Sequence, residues 1–204
     1  MTANFELEIA FNASADFRVF GVDEVGRGPL AGPVVAAAVN IPINLWEKSE
    51  VAAIEDSKKV NPRKRAYLAA WIKKHCSFSV AQVNAAEIDK INILQASLTA
   101  MARSLEQVPA DFALIDGNKI PITPVSCMAV VKGDSKSKSI AAASIIAKEY
   151  RDSIMVRLAE EFPNYGWSKN SGYPTAEHRA ALQKHGPTLY HRATFNGVKN
   201  VTKT

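Results

Sequence analysis

The chain has 204 residues, 47% of them hydrophobic, enough for one sizeable core without requiring two independent domains. Lys and Arg number 25 against 20 Asp and Glu, a formal net charge of +5, which is compatible with a nucleic-acid partner without establishing one. No run reaches membrane-spanning length, and residues 1–8 lack the basic and apolar regions of a secretory signal. Cys76 and Cys127 stand apart with no zinc-type spacing, so free thiols and a cytoplasmic location are expected.

In chain order, residues 17–23 and 32–41 predict two strands flanking a glycine-rich turn. Their small and β-branched residues suit the centre of a two-sided sheet. Asp56-Ser57-Lys58-Lys59 interrupts the pattern, and Asn61-Pro62 predicts a helix start with Leu68, Trp71 and Ile72 on its apolar face. Residues 77–83 alternate as a strand does. Residues 85–106 carry a stripe of Ile88, Ile91, Leu94, Leu98, Met101 and Leu105 near period 3.6, which predicts one core-facing helix. Two short strands follow, ending in Asp116-Gly117-Asn118 and in Lys132-Gly133-Asp134. Residues 135–139 alternate Ser and Lys and predict a mobile loop. A long helix is expected over 139–162, a second from about Thr175, and a disordered tail after Phe195. Five strands mixed with helices give an α/β or α+β domain with a mixed sheet.

The segment Gly21-Val22-Asp23-Glu24-Val25-Gly26-Arg27-Gly28 is the most informative. Adjacent carboxylates on a strand point to opposite faces and are costly to bury unless something binds them. A hard divalent cation is the usual reason to gather such oxygens, and a glycine-rich loop lets backbone approach a ligand. Three segments share one pattern, an apolar strand followed by an acid beside glycine: Asp23-Glu24, Asp116-Gly117 and Gly133-Asp134. If their strands are neighbours, four carboxylates meet at one end of the sheet, and two Mg²⁺ or Mn²⁺ ions about 3.5–4 Å apart would relieve their repulsion and support phosphoryl transfer. Asp before Gly is also ordinary turn chemistry, so Asp116 alone would carry little. Arg27, Lys58, Lys59, Lys132, Lys136 and Lys138 surround these acids and suit a polyanionic substrate, although a single surface lysine is more often idle.

These motifs resemble ribonuclease HII. The likeness runs from Gly21–Gly32 through Asp56-Ser57-Lys58-Lys59, Glu87-Ile88-Asp89 and Leu114–Asn118. It continues through Val131–Asp134, Ala142–Lys148 with Arg151-Asp152, and Gly172-Tyr173-Pro174-Thr175, covering about residues 17–199. The resemblance implies a ribonuclease H-like α/β fold with a central mixed five-stranded sheet flanked by helices. Residues 1–162 would be the catalytic core and 163–204 a small C-terminal helical extension packed on it. It implies hydrolysis of the RNA strand of RNA/DNA hybrids and incision 5′ of single ribonucleotides embedded in duplex DNA, leaving 3′-hydroxyl and 5′-phosphate ends. Asp23, Glu24, Asp116 and Asp134 would be catalytic and hold Mg²⁺ or Mn²⁺. Gly26, Arg27, Gly28, Lys58 and Tyr173 would bind substrate, the glycine turn at the ribonucleotide 2′-hydroxyl, the group that separates RNA from DNA. Tyr173 would pack on the next sugar. A monomer without membrane attachment is expected.

Two positions depart from the family pattern. Glu149 adds an acid near the site or only faces solvent, and Ala193-Thr194-Phe195-Asn196-Gly197 replaces the common C-terminal run. Asp152 beside Arg151 is expected to form a structural ion pair with it. His178, His185 and His191 show no triad logic, which leaves a surface or substrate-groove role. Rival functions are a nuclease acting on DNA alone, an idle hybrid-binding module and a structural cation-binding domain.

Overall fold

A computed structural model describes residues 3–11 and 16–201. Five strands form one mixed sheet: β1 (Val19–Val25), β2 (Val34–Asn40), β3 (Ser77–Val83), β4 (Phe112–Asp116) and β5 (Ser126–Val130), in the order β3-β2-β1-β4-β5. β1, β2 and β3 pair antiparallel, while β4 runs parallel to β1 and β5 to β4. The expected mixed five-stranded sheet is therefore present. Its three parallel strands end together, with Val22 opposite Ile115 and Asp116 opposite Val130.

Among the described residues seven α-helices surround the sheet: α1 (Glu6–Ala10), α2 (Ser49–Ala52), α3 (Pro62–His75), α4 (Ala85–Leu105), α5 (Lys138–Glu161), α6 (Trp167–Asn170) and α7 (Ala176–His185). The four long helices begin on side-chain caps. Asn61, Asn84, Ser137 and Thr175 accept from the backbone N–H of Lys64, Glu87, Ile140 and His178, satisfying donors that have no partner within the helix. α1, α2 and α6 are too short to leave a periodic signature.

Strand alternation sends Val35, Ala37 and Val39 of β2 to one core with Ile72 of α3 and Ile145 and Ile146 of α5. The other face places Phe20, Val22, Ala36 and Ala38 against Ile88, Ala100, Met101 and Leu105 of α4. Gly21 lets α5 lie directly on β1, since a Cβ there would stand 2.1 Å from the Ile140 nitrogen. A third cluster joins Leu30, Met155, Leu158, Trp167, Leu182 and Val198, and packs the C-terminal segment on the end of α5.

Three expectations need correction. α4 is not one continuous helix: Asn92 breaks it at φ 65°, ψ 163°, and its side chain accepts from the N–H groups of Leu94 and Gln95 to start the helix again. The apolar stripe is thereby cut, and Leu94 is partly exposed. Residues 135–139 are not a loose loop. A 3₁₀ turn over Gly133–Ser135 runs into the cap at Ser137, and both Ser137 and Ser139 are buried. The segment after Phe195 contributes buried Val198 to the third cluster, and residues 202–204 lie outside the described residues. Among the described residues no helix is long and apolar enough to cross a membrane.

Candidate active site

The four carboxylates predicted as a site come from the adjoining ends of the parallel strands. Asp23 points to the α5 face of β1. Its Oδ1 accepts from the Glu24 N–H at 2.7 Å, and Ser144 of α5, whose hydroxyl shares a hydrogen bond with that of Ser57 at 2.8 Å, favours its charged form. Burial holds the Asp23 carboxyl well above the usual carboxylate range, and the neighbouring charges of Glu24 and Asp116 push it further. Glu24 points to the α4 face. Burial raises it as well, against the attraction of Arg27 at 3.4 Å. Asp116 closes β4, and its Oδ1 accepts from the Gly133 N–H at 2.6 Å, which ties the β5 turn to it. Asp134 follows on that turn. Burial, Asp56 and Asp116 raise its pKa while Lys58 opposes them.

Lys58 reports the same field from outside. Burial pulls its ammonium down, but Asp56, Asp23, Asp134 and Asp116 together outweigh that and hold it above the ordinary lysine range. These acids therefore act on one another and on one cation. Two of the four site carboxylates, Glu24 and Asp116, line a small cleft of about 100 Å³ together with Arg27, Asn118 and Lys119. A larger pocket of 380 Å³ beside Gln82, Tyr150 and Arg157 contains none of them, so charge locates this site better than volume does.

The glycine turn and Tyr173 are also brought together. A Cβ on Gly28 would stand 3.4 Å from Tyr173 Cε1, and the Gly172 carbonyl accepts from the Leu30 N–H at 2.8 Å. Gly26 has φ 98°, and a Cβ there would collide with Arg151, so this turn requires glycine. Arg151 and Arg192, both buried, hold the turn from beneath. Arg151 donates to the carbonyls of Pro33, Ala31 and Ser171. Arg192 donates to those of Gly26, Arg27 and Gly32. Arg151 thus has no ion pair with Asp152, contrary to expectation. Asp152 instead accepts from Lys148 and Arg65, the geometry that helix spacing gives the Lys148 pair. Glu149 is paired too, with Arg65 at 2.7 Å.

Lys138 is not part of the basic rim. It is buried, and its ammonium donates to the carbonyls of Ala52 and Ile54. Lys59, Lys132 and Lys136 are exposed. Ser144 and Arg192 escaped sequence reasoning. A serine within an alanine-rich helix gives no warning of its partner, and Arg192 lies some 165 positions from the turn it supports. The divergent C-terminal run has a structural anchor: Asp89 accepts from the N–H groups of Ala193 and Thr194 and from the Thr194 hydroxyl.

The histidines divide. His185 is exposed, but His178 and His191 are buried, which corrects the surface or groove assignment. His178 Nδ1 donates to the Tyr173 carbonyl, so its Nε2 accepts from Trp167 Nε1 at 3.0 Å and from His191 Nε2 at 3.1 Å. His191 Nδ1 accepts from the Thr188 N–H. Both rings are neutral in this network, since a further proton would set donor against donor. Burial and then His178 push His191 down to about 3, and burial lowers His178. An unfolded histidine takes a proton near pH 6.5, so the unfolded state binds more protons as pH falls below that value and stability is lost toward acid. Between pH 7 and pH 4, His191 is expected to cost about 3 kcal/mol. Urea unfolding across that range, with wild type compared against His191→Asn, measures the contribution. Parallel pH curves for the two proteins would refute it.

A mixed sheet of this order, with acids ending its three parallel strands, defines the ribonuclease H-like class of phosphodiester hydrolases. Residues 20–198 match the family model for ribonuclease HII, and the chain belongs to that family. It is 48% identical over 196 residues to ribonuclease HII of Rhodospirillum rubrum, covering 94% of this chain and 90% of that protein. It is 50% identical over 201 residues to that of a Ruegeria species, covering 97% and 86%. Among solved structures, ribonuclease HII of Archaeoglobus fulgidus in its complex with PCNA superposes with a TM-score of 0.75 at 26% identity, over 88% of this chain and 96% of that one. Bst-RNase HIII in complex with Mn²⁺ superposes at 0.71 over 90% and 68%, and at 21% identity it speaks for the fold alone. The chain is accordingly a hydrolase of phosphodiester bonds, acting on the RNA strand of RNA/DNA hybrids, in a divalent-metal-dependent family.

Proposed function

We propose that the chain also incises duplex DNA 5′ of a single embedded ribonucleotide, with two divalent ions held by Asp23, Glu24, Asp116 and Asp134, leaving 3′-hydroxyl and 5′-phosphate ends. The observation that carries this reading is the close approach of Tyr173 to Gly28, next to Arg27, which pairs with Glu24 of the carboxylate set. A backbone turn that can meet a 2′-hydroxyl then adjoins an aromatic face that can rest on the following sugar. The donor set suits a hard cation, being all carboxylate oxygen, with Asp23, Glu24 and Asp134 raised by burial and then by neighbouring acids. Among the described residues no three His, Cys, Asp or Glu side chains close a metal cage on their own. Mg²⁺ is commonly held by one or two carboxylates, with water and substrate phosphate completing its shell, so an open set is compatible with it. Mg²⁺ and Mn²⁺ both suit the site, and bound metal would supply an activated water and charge neutralisation at the leaving oxygen.

The protein's own groups do the rest. The Glu24 N–H holds the Asp23 carboxylate, that of Gly133 holds Asp116, and Arg27 and Lys58 offer charge to phosphates beside the scissile one. The extension 163–204 would bring Tyr173 to the core 1–162, and the chain would act as a monomer in the cytoplasm.

A labelled DNA duplex with one ribonucleotide, run beside an all-DNA and a chelated control, tests the reading. Metal-dependent incision only on the 5′ side of the ribonucleotide is expected. Cutting of the all-DNA duplex would make the chain a DNA nuclease, and binding without turnover an idle module. Large unfolding on chelation would point to a structural cation. Tyr173→Ala is expected to slow incision at the single ribonucleotide about tenfold, the worth of one aromatic contact, with less effect on hybrid tracts. Equal loss on both substrates would remove Tyr173 from junction reading.

A further inference from the structure

The segment carrying α1 lies before residue 20, where the match to the family begins. It nonetheless grips the turn that carries Asp134. The Asn4 N–H donates to the Lys136 carbonyl at 3.1 Å, and the Lys138 N–H donates back to the Asn4 carbonyl at 3.0 Å, a parallel bridge at Asn4 and Ser137. One turn of helix later, Glu8 Oε1 accepts from the Ser137 hydroxyl at 2.6 Å and from the Ser139 N–H at 3.0 Å. Ser137 is the residue that caps α5, so Glu8 seats its carboxylate on the first turn of a 24-residue helix, where negative charge is favourable.

Glu8 is only 1% exposed, and its Oε2 has no hydrogen-bond partner among the described residues. Burying a carboxylate with half its capacity unused is expensive, which argues for a specific task for the other oxygen. The segment is fastened at both ends, by Phe5 stacked on Trp46 at 3.9 Å and by Phe11 stacked on Phe112 of β4 at 4.3 Å. Leu7 packs on the cluster of Val19, Leu114, Val130 and Ile140, which includes residues of both β4 and β5. A connected path thus runs from Glu8 through Ser137 and the Gly133–Ser135 turn to the Gly133 N–H that holds Asp116.

We propose that residues 3–11 are a strap that positions Asp134 and Asp116 for metal, with Glu8 as its positioning residue. The proposal rests on the assignment of those two acids as metal-holding groups. A turn left free to move would present its carboxylate in many orientations, and groups that orient metal ligands typically alter affinity by about 10–100-fold when removed. The strap also accounts for the order of residues 135–139, a Ser-Lys run that by composition would be mobile.

Mn²⁺ titration by calorimetry on the full chain, with hydrogen exchange at residues 133–139, tests the strap. Glu8→Ala should weaken Mn²⁺ binding about tenfold and speed exchange of those amides by a similar factor. Glu8→Gln keeps an acceptor oxygen and should restore most of both. Phe5→Ala loosens the strap without touching Glu8 and should shift both in the same direction by less, which keeps the test available if Glu8→Ala fails to fold. A lowered melting temperature in these variants with wild-type Mn²⁺ affinity and wild-type exchange would overturn the proposal. Asp134→Asn in the same titration separates the two claims. Unchanged affinity there would overturn the ligand assignment and the affinity effect with it, while the exchange data would still decide whether the strap holds the turn.

Discussion

Asp23→Asn is expected to lower the cleavage rate by at least about 10³ while leaving hybrid binding nearly intact and the metal-free protein more stable. Asp23 is 6% exposed, and burial together with Glu24 and Asp116 holds its carboxyl well above the usual range. A carboxyl whose folded pKa is raised binds more protons folded than unfolded. Its charged form therefore costs stability above the ordinary carboxylate range and not below it. Asparagine removes that charge, and its amide oxygen can still accept from the Glu24 N–H that Asp23 now engages. Metal-assisted stabilisation is worth several kcal/mol, and each 1.36 kcal/mol is a factor of ten, so loss of one central ligand accounts for about three decades. Single-turnover cleavage, hybrid binding in chelator and thermal unfolding give the three readouts. Activity within tenfold of wild type would dismiss Asp23 as a ligand. A lower melting temperature would mean that the charge is compensated by something other than bound metal.

The acids were legible in the sequence because strand chemistry announces them. A short run such as Phe112-Ala113-Leu114-Ile115 bounded by turn residues reads as a buried strand, and the polar residue that ends it sits at the carboxyl end of that strand. Caps were legible for the same local reason, as Asn61-Pro62 and Thr175 show. What escaped depends on contacts between distant parts of the chain. The stripe through α4 ignored Asn92 because periodicity counts apolar residues and does not register a reset in φ. Arg151 was assigned to its sequence neighbour Asp152, yet helix geometry points adjacent residues apart, and Arg151 turns inward to carbonyls of other segments. His178 and His191 join directly across 13 residues, with Trp167 donating to the same His178 nitrogen, a pairing that no spacing rule contains. Residues 135–139 look mobile by composition and are ordered by a strap more than 120 residues earlier in the chain.

Replacing Arg192 by Met is expected to cost about 3–5 kcal/mol of folding stability and to remove incision at single ribonucleotides, because it leaves the buried carbonyls of Gly26 and Gly32 and the half-buried one of Arg27 without their Arg192 donors. Arg192 is fully buried, and its guanidinium also lies 4.9 Å from the centre of the Phe195 ring. Burial, with Arg151 nearby, lowers its pKa to about 9, so the side chain remains charged at neutral pH. No carboxylate forms an ion pair with it among the described residues; Asp89 favours its charge only through space. A buried charge held by carbonyls alone is a poor way to gain stability, since apolar residues often replace such groups without loss when nothing is left unpaired. Here three carbonyls would be left unpaired, and all three belong to the turn that faces Tyr173. Arg192 thus fixes the shape of the surface that would meet the 2′-hydroxyl. Arg192→Lys discriminates between charge and shape. Lysine keeps the charge but concentrates its donors at one atom, and it cannot span carbonyls that a planar fork reaches together. It should recover part of the stability in urea unfolding and little of the incision at single ribonucleotides. Full recovery of incision by lysine would show that charge alone matters at this position, and wild-type stability of the Met variant would mean that the three carbonyls find other donors.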